Sequence, residues 1–232
     1  MSGEEALSGG RMTVGVVRVG DTVRRPPNPN SEFVRGLLRH LEAVGFDDAP
    51  RHIGVDEKGR EVFAFLPGTA PEELTQHGDG VLRAAASLIR RYHDATAPMF
   101  ASSEARNVGF EVACHNDLSP CNAIFKEGLP VALIDFDAAS PGTRSYDLGY
   151  AAWLWLNIGA SNFDPAEQIR RLRLFLEAYG PVPNETEVVA QMILRQTIVE
   201  AEGARIGDSP MANWAKACRR WTQEHLLSRV RG

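Results

Sequence analysis

The chain has 232 residues, with 25 lysines and arginines against 30 aspartates and glutamates, a formal charge of −5; nonspecific nucleic-acid or anionic-membrane binding is therefore not its expected business. Its composition, 44% hydrophobic and 24% charged, is that of a soluble globular protein of one or two domains. Three cysteines, Cys114, Cys121 and Cys218, make no disulfide framework, the acidic start MSGEEALSGG has no signal-peptide core, and no apolar run reaches the ~20 residues of a spanning helix, so a cytoplasmic location and no membrane partner are expected.

Residues 1–10 read as loosely held. From Thr13 to Val23 the pattern TVGVVRVGDTV sets β-branched residues on both sides of a Gly20-Asp21 turn, which predicts two short antiparallel strands closed by Arg24 and Arg25. PPNPN at 26–30 admits neither helix nor central strand. Asn30 or Ser31 is placed to cap a helix bearing Val34, Leu37, Leu38 and Leu41 and stopped by Gly45. A hairpin follows, 53–55 and 62–66 around DEKG, broken by Pro67-Gly68. Beyond Pro67 the period becomes helical: Val81 to Tyr92; after two strands at 123–125 and 131–134, 148–158; then Ile169 to Tyr179, Glu185 to Glu202, and Trp214 to Val230. The expected organisation is a strand-rich lobe at 1–66 and a helical lobe at 67–232.

Residues 112–137, VACHNDLSPCNAIFKEGLPVALIDFD, set His115, Asp117, Asn122, Asp135 and Asp137 beside apolar, strand-like runs. Carboxylates there cost several kcal/mol unless something positive pairs with them, which points to a metal ion or a phosphate-bearing substrate. Phosphoryl transfer needs a carboxylate for the attacking hydroxyl and hard oxygen ligands for Mg²⁺. Asp117 suits the first need, and Asn122 and Asp135 suit the second, since a short loop returns from Asp117 into a strand at Asn122 and a turn at Gly128 brings Asp135 back alongside. Each alone would read as a turn cap. Cys114, His115, Asp117 and Cys121 lack the second paired motif of a zinc site. The tryptophans at 153, 155, 214 and 221 read as packing residues, and His40, His52, His77, His93 and His225 as surface or helix-lining ones.

HNDLSPCN at 115–122 resembles the HxDxxxxN catalytic loop of the aminoglycoside phosphotransferase and choline kinase family, and IDFD at 134–137 and RSYDLGYA at 144–151 are similar to its later segments. The resemblance implies an α+β, two-lobed protein-kinase-like fold that moves the γ-phosphoryl of ATP to the hydroxyl of a small molecule, an aminoglycoside or other amino alcohol among the candidates. It implies Asp117 as catalytic base with His115 supporting it, Asn122 and Asp135 as Mg²⁺ ligands, and Asp147 securing the loop. FAFLPG at 63–68 resembles the hinge between lobes, which implies Ala64 and Leu66 backbone contacts to adenine with Phe63 behind. ALSGGRMTVGVVRV at 6–19 resembles the nucleotide-covering hairpin, with Ser8, Gly9 and Gly10 approaching phosphates. In place of the family's phosphate-pairing lysine stand Arg24, which aligns best, and Arg25. The nearest acidic partner, Glu32, is two residues out of register, so either the first helix starts differently or that ion pair is absent. Glu177, Glu185, Glu187, Glu200 and Glu202 offer an acidic helical face suited to a polycationic acceptor. The alternative on the same fold is a non-catalytic nucleotide-binding scaffold, favoured by the departures in the first lobe and opposed by the intact Asp117, Asn122 and Asp135.

Overall fold

The computed structural model describes residues 3–7, 15–159, 163–181 and 184–227. Strand β1 (Glu5–Ala6) pairs antiparallel with β2 (Val17–Val19), which turns at Gly20-Asp21 into β3 (Thr22–Arg25). The looseness expected of residues 1–10 is thus corrected at Glu5 and Ala6. Glu4, next to them, is gripped by Lys58 and Arg60, both at 2.9 Å, partners more than fifty residues away that no local pattern reveals. Helix α1 (Ser31–Ala43) buries Val34, Leu37, Leu38 and Leu41, one stripe at helical spacing, and ends where Gly45 takes a φ of +77°. Strands β4 (His52–Val55) and β5 (Glu61–Ala64) complete an antiparallel sheet of order β1-β2-β3-β5-β4.

The helical part opens with α2 (Asp79–Thr96), which buries a stripe of Leu82, Ala85, Leu88, Ile89 and Tyr92. Three short elements follow that the sequence pattern did not announce in full: α3 (Ser103–Val108), β6 (Val112–Cys114) and, later, β9 (Ser140–Gly142), which pairs with β6. Three-residue strands carry no measurable period, and β9 contains a proline. Between them β7 (Ala123–Lys126) and β8 (Leu129–Leu133) form the hairpin. Then come α4 (Arg144–Trp155), α5 (Pro165–Tyr179), α6 (Glu185–Ile206) and α7 (Ser209–His225). Helix α7 starts five residues before Trp214, because Asp208 caps it by accepting from the Met211 N–H at 2.9 Å and a proline occupies its first turn.

Helix α4 is buried on nearly every side and packs against α6, which in turn packs against α7. The α4 and α6 backbones nearly touch at Gly149, where a Cβ would stand 2.6 Å from the Met192 nitrogen. Trp153, Trp155, Tyr92, Tyr179 and Phe175 fill the centre of the core, while Trp214 stays partly exposed, stacked on Trp153. A small antiparallel sheet lobe therefore sits on a larger helical lobe, with the cleft between them bordered by β3, β5 and the β7–β8 hairpin. Among the described residues no helix is long and apolar enough to cross a membrane.

Candidate active site

Strand β6 delivers the chain to His115 and Asn116, and the first turn of α4 waits there with Asp147. Its Oδ2 accepts from the His115 N–H at 2.7 Å and from His93 Nε2 at 3.1 Å, and its Oδ1 accepts from the Asn116 N–H at 2.9 Å. Burial works to raise the Asp147 pKa, but the His93 hydrogen bond, the nearby histidines and the backbone donor outweigh it and hold the carboxyl below its ordinary value. Asn116 takes a φ of +66°, one of the few left-handed non-glycine residues described, and so turns the loop sharply ahead of Asp117. His93, expected to line a surface or a helix, is fully buried, with Nδ1 2.8 Å from the Tyr179 hydroxyl.

His115 is also fully buried. Its Nε2 donates to the Ile134 carbonyl at 3.0 Å, and its ring lies 4.6 Å from that of Phe136, centroid to centroid. Its ring lies between Tyr92 of α2 and the segment that follows β8, and it has no exposed face toward an acceptor. Asp117 is half-buried and doubly held: Oδ2 accepts from Asn122 Nδ2 at 2.7 Å and Oδ1 from the Tyr150 hydroxyl at 3.0 Å. Burial, then the charge and hydrogen bond of Asp117, push the Tyr150 hydroxyl well above its ordinary pKa, which keeps it a donor. Arg195 closes this side. It donates to the Tyr146 hydroxyl at 2.7 Å and the Asn116 carbonyl at 2.6 Å, and its guanidinium lies over the rings of Tyr146 and Tyr150.

Across the hairpin Asp135 adopts φ +65°, and its Oδ1 accepts both terminal nitrogens of Arg25 at 3.1 Å. Asp137 is bonded to the same guanidinium. Arg24, the better-aligned basic residue by sequence, faces the opposite side of the sheet and pairs with Asp56 at 3.2 Å. The reason is the strand period: neighbours in β3 point to opposite faces. Arg25 rather than Arg24 is therefore the cleft residue. Its acidic partners come from residues 135 and 137, while Glu32 is exposed on α1, and the buried acid of the sheet, Glu61, is held by His52 at 2.8 Å and by Arg35.

The cleft has a volume of about 350 Å³. Val23, Phe63, Ala64, Leu66 and Ile124 make it apolar, and Arg25, Asn122 and Asp135 supply its polar edge. The Ala64 N–H is already given to the Arg51 carbonyl at 2.9 Å, so a backbone contact from Ala64 to a base would run through its carbonyl. Ser8, Gly9 and Gly10 lie outside the described residues. The expected acidic face is largely neutralised: Glu185, Glu200 and Glu202 pair with Arg173, Arg219 and Arg205. Tyr150 and Arg195 were not singled out by sequence. The traces were there, since Tyr150 lies one turn after Asp147 and Arg195 falls between Met192 and Val199 in an apolar stripe.

Asn122 commits its amide nitrogen to Asp117, which leaves its Oδ1 as an acceptor beside Asp135 at the polar edge of the cleft. Among the described residues no group of three or more His, Cys, Asp or Glu side chains could by itself hold a metal ion. The Asp135 carboxylate and the Asn122 amide oxygen are hard-oxygen donors of the kind Mg²⁺ shares with phosphate oxygens, so the residues present fit that ion.

The family model described as phosphotransferase enzyme family matches residues 104–188, which contain this whole loop and hairpin. The chain is 36% identical to the trifolitoxin immunity protein of Rhizobium leguminosarum bv. trifolii over 207 residues, covering 78% of this chain and 75% of that protein. In fold it is similar to the GDP complex of aminoglycoside 2'-phosphotransferase-IIIa, with a TM-score of 0.63 at 14% identity over 96% of this chain and 92% of the other. It is likewise similar to a choline/ethanolamine kinase family protein from Mesorhizobium loti, with a TM-score of 0.61 at 18% identity over 93% and 87%. The geometry of the 115–122 loop, the two-lobed fold shared with an aminoglycoside phosphotransferase and a choline/ethanolamine kinase family protein, and the relative matched along most of its length agree: this chain belongs to the phosphotransferase enzyme family.

Proposed function

We propose that the protein transfers the γ-phosphoryl of ATP to a hydroxyl of a small molecule. The observation that carries this reading is Asp117, half-buried and held by Asn122 on one oxygen and Tyr150 on the other, at the end of a loop whose second arm leads to Asp135. Fixed donors on both oxygens set the carboxylate in one orientation, the requirement for a general base that meets its substrate at hydrogen-bond distance. Asn122 Oδ1 and Asp135 would hold Mg²⁺, which when bound neutralises phosphate charge and aligns the β- and γ-phosphates. Arg25 has the charge and the forked geometry to hold a phosphate. The Ala64 carbonyl and the Leu66 N–H at the cleft edge would orient the base. Asp147, His93 and His115 keep the loop backbone in place while the acceptor proton moves to Asp117.

The acceptor is drawn from hydroxyl compounds of the kind the relatives' names suggest, aminoglycosides and amino alcohols, together with trifolitoxin. Acceptor-dependent consumption of ATP or GTP with Mg²⁺ should appear for at least one member of a panel of these compounds, macrolides and sugars. Asp117→Ala should lower that turnover by roughly 10²-fold or more, and unchanged turnover in this variant would sink the assignment. A second reading is a nucleotide-binding scaffold, favoured by the grip of Arg25 on Asp135 and Asp137. Nucleotide binding without consumption across the whole panel would select it.

A further inference from the structure

Asn116 sits one residue ahead of Asp117 and is held at its N–H, its carbonyl and its side-chain nitrogen. Asp147 Oδ1 takes the N–H, and Nδ2 donates to the Ala138 carbonyl and the Ser140 Oγ, both at 2.8 Å. The carbonyl accepts from Arg195 Nη2 at 2.6 Å, a donor brought from 79 residues away on α6. That carbonyl shares one rigid peptide plane with the Asp117 nitrogen, so a bond at the oxygen fixes the direction in which the Asp117 main chain leaves. The left-handed backbone of Asn116 is uncommon for a residue with a side chain and persists where its surroundings over-determine it.

The same guanidinium reaches the other end of Asp117. It lies 4.5 Å from the centroid of the Tyr150 ring, and the Tyr150 hydroxyl donates to Asp117 Oδ1 at 3.0 Å. Nη1 donates to the Tyr146 hydroxyl at 2.7 Å, and the guanidinium covers that ring as well, at 4.8 Å. Tyr146 and Tyr150 are one turn apart on α4, and the close approach of α6 at Gly149 brings Arg195, one turn beyond Met192, onto both. A lysine could reach the Asn116 carbonyl, but it has no planar fork to meet the Tyr146 hydroxyl at the same time and no flat face to lie over two rings. Neither Arg195 nor Tyr150 lines the nucleotide cleft.

We infer that Arg195 is a positioning residue for the reaction, setting the Asp117 main chain through the Asn116 carbonyl and the Asp117 carboxylate through Tyr150. This role rests on Asp117 being the general base of a phosphoryl transfer, whereas the hold on the loop is independent of it. The packing of α6 on α4 thereby decides the orientation of the carboxylate. Loss of Arg195 leaves nucleotide binding intact while the reacting hydroxyl meets a misplaced base.

The test is made on the full chain carrying Arg195→Lys. Amide hydrogen exchange at His115 and Asn116, whose N–H groups are bonded to Asp147, should be about tenfold faster than in wild type, the size of one charge-assisted hydrogen bond, while the amides of α2 and α5 keep wild-type rates. With an acceptor found in the panel, kcat should fall roughly tenfold or more, as a small misplacement of a reacting group does, and the KM for nucleotide should stay within about threefold. Arg195→Lys combined with Tyr150→Phe should lose less kcat than the product of the two single losses, because both act on one carboxylate. Tyr146→Phe, whose hydroxyl bonds only Arg195 among the described residues, should speed the same exchange by a smaller factor. Loop exchange at the wild-type rate, a KM that rises as far as kcat falls, or an unchanged kcat overturns the positioning role. If Arg195→Lys does not fold, an unchanged exchange rate in Tyr146→Phe overturns it by itself. Turnover absent from wild type across the whole panel removes the transfer reading and this role with it, an outcome distinct from an active enzyme that tolerates Arg195→Lys.

Discussion

Arg24 and Arg25 are covalent neighbours with opposite fates. One pairs with Asp56 on the outer side of the sheet and the other with Asp135 and Asp137 in the cleft, because a pleated strand sends adjacent side chains to opposite faces. Alignment by resemblance preferred Arg24, and a slip of one residue is enough to exchange the two. The expected outcome follows from this division. In nucleotide-dependent thermal shift, Arg25→Met should weaken the apparent affinity for Mg²⁺ and ATP at least tenfold, while Arg24→Met should leave it within about threefold, since a charge-assisted bidentate contact is worth about 1.5–3 kcal/mol. Equal effects of the two substitutions would remove Arg25 from the phosphate role. His93 shows the same limit of local reading: its neighbour Tyr92 marks the apolar stripe, but only the packed α2, α4 and α5 bring Asp147 and Tyr179 to its two ring nitrogens.

The long helices were legible because burial on one face imposes a 3.6-residue period, as in Val34, Leu37, Leu38 and Leu41. The short elements were not, since β6 and β9 are each three residues long and gain their hydrogen bonds only from one another. The α4–α6 contact is likewise silent in sequence. A glycine within a helical run usually weakens it by roughly 1 kcal/mol, yet Gly149 is what lets α6 approach α4, with the Gln191 carbonyl carbon and the Met192 nitrogen less than 3 Å from where a Cβ would be. Gly149→Ala, helix-favouring in isolation, should therefore destabilise the protein by about 1–3 kcal/mol through overpacking. Urea unfolding measures this, and a gain in stability would show that the helices separate at no cost. Because α4 carries both Asp147 and Tyr150, the same variant should lower turnover at temperatures where it remains folded.

Across the whole molecule, one continuous core and specific polar links join the lobes. Asn30, at the capping position of α1, makes no side-chain cap. Its amide instead reaches over to donate to the Asp137 and Ala139 carbonyls at 2.9 and 2.8 Å, Arg25 grips Asp135 and Asp137, and the Leu133 N–H of the hairpin donates to the Asp48 carbonyl at 2.8 Å. Asn30→Ala should cost about 1–3 kcal/mol in urea unfolding for two lost hydrogen bonds and should loosen the metal-side hairpin, raising the Mg²⁺ concentration needed for half-maximal nucleotide stabilisation. If stability and Mg²⁺ dependence both stay at wild-type values, the link carries no coupling. The lobe order, the helix faces and the loop from His115 to Asn122 with Asp135 beyond it were determined by the sequence alone, because periodicity and motif spacing are set within a few dozen residues. Which arginine faces the cleft, how Tyr150, Arg195, His93 and Asp147 converge on the 115–122 loop, and how Asn30 reaches the 137–139 segment were decided only by the tertiary structure. Each of those contacts joins residues that only packing, and no local pattern, brings together.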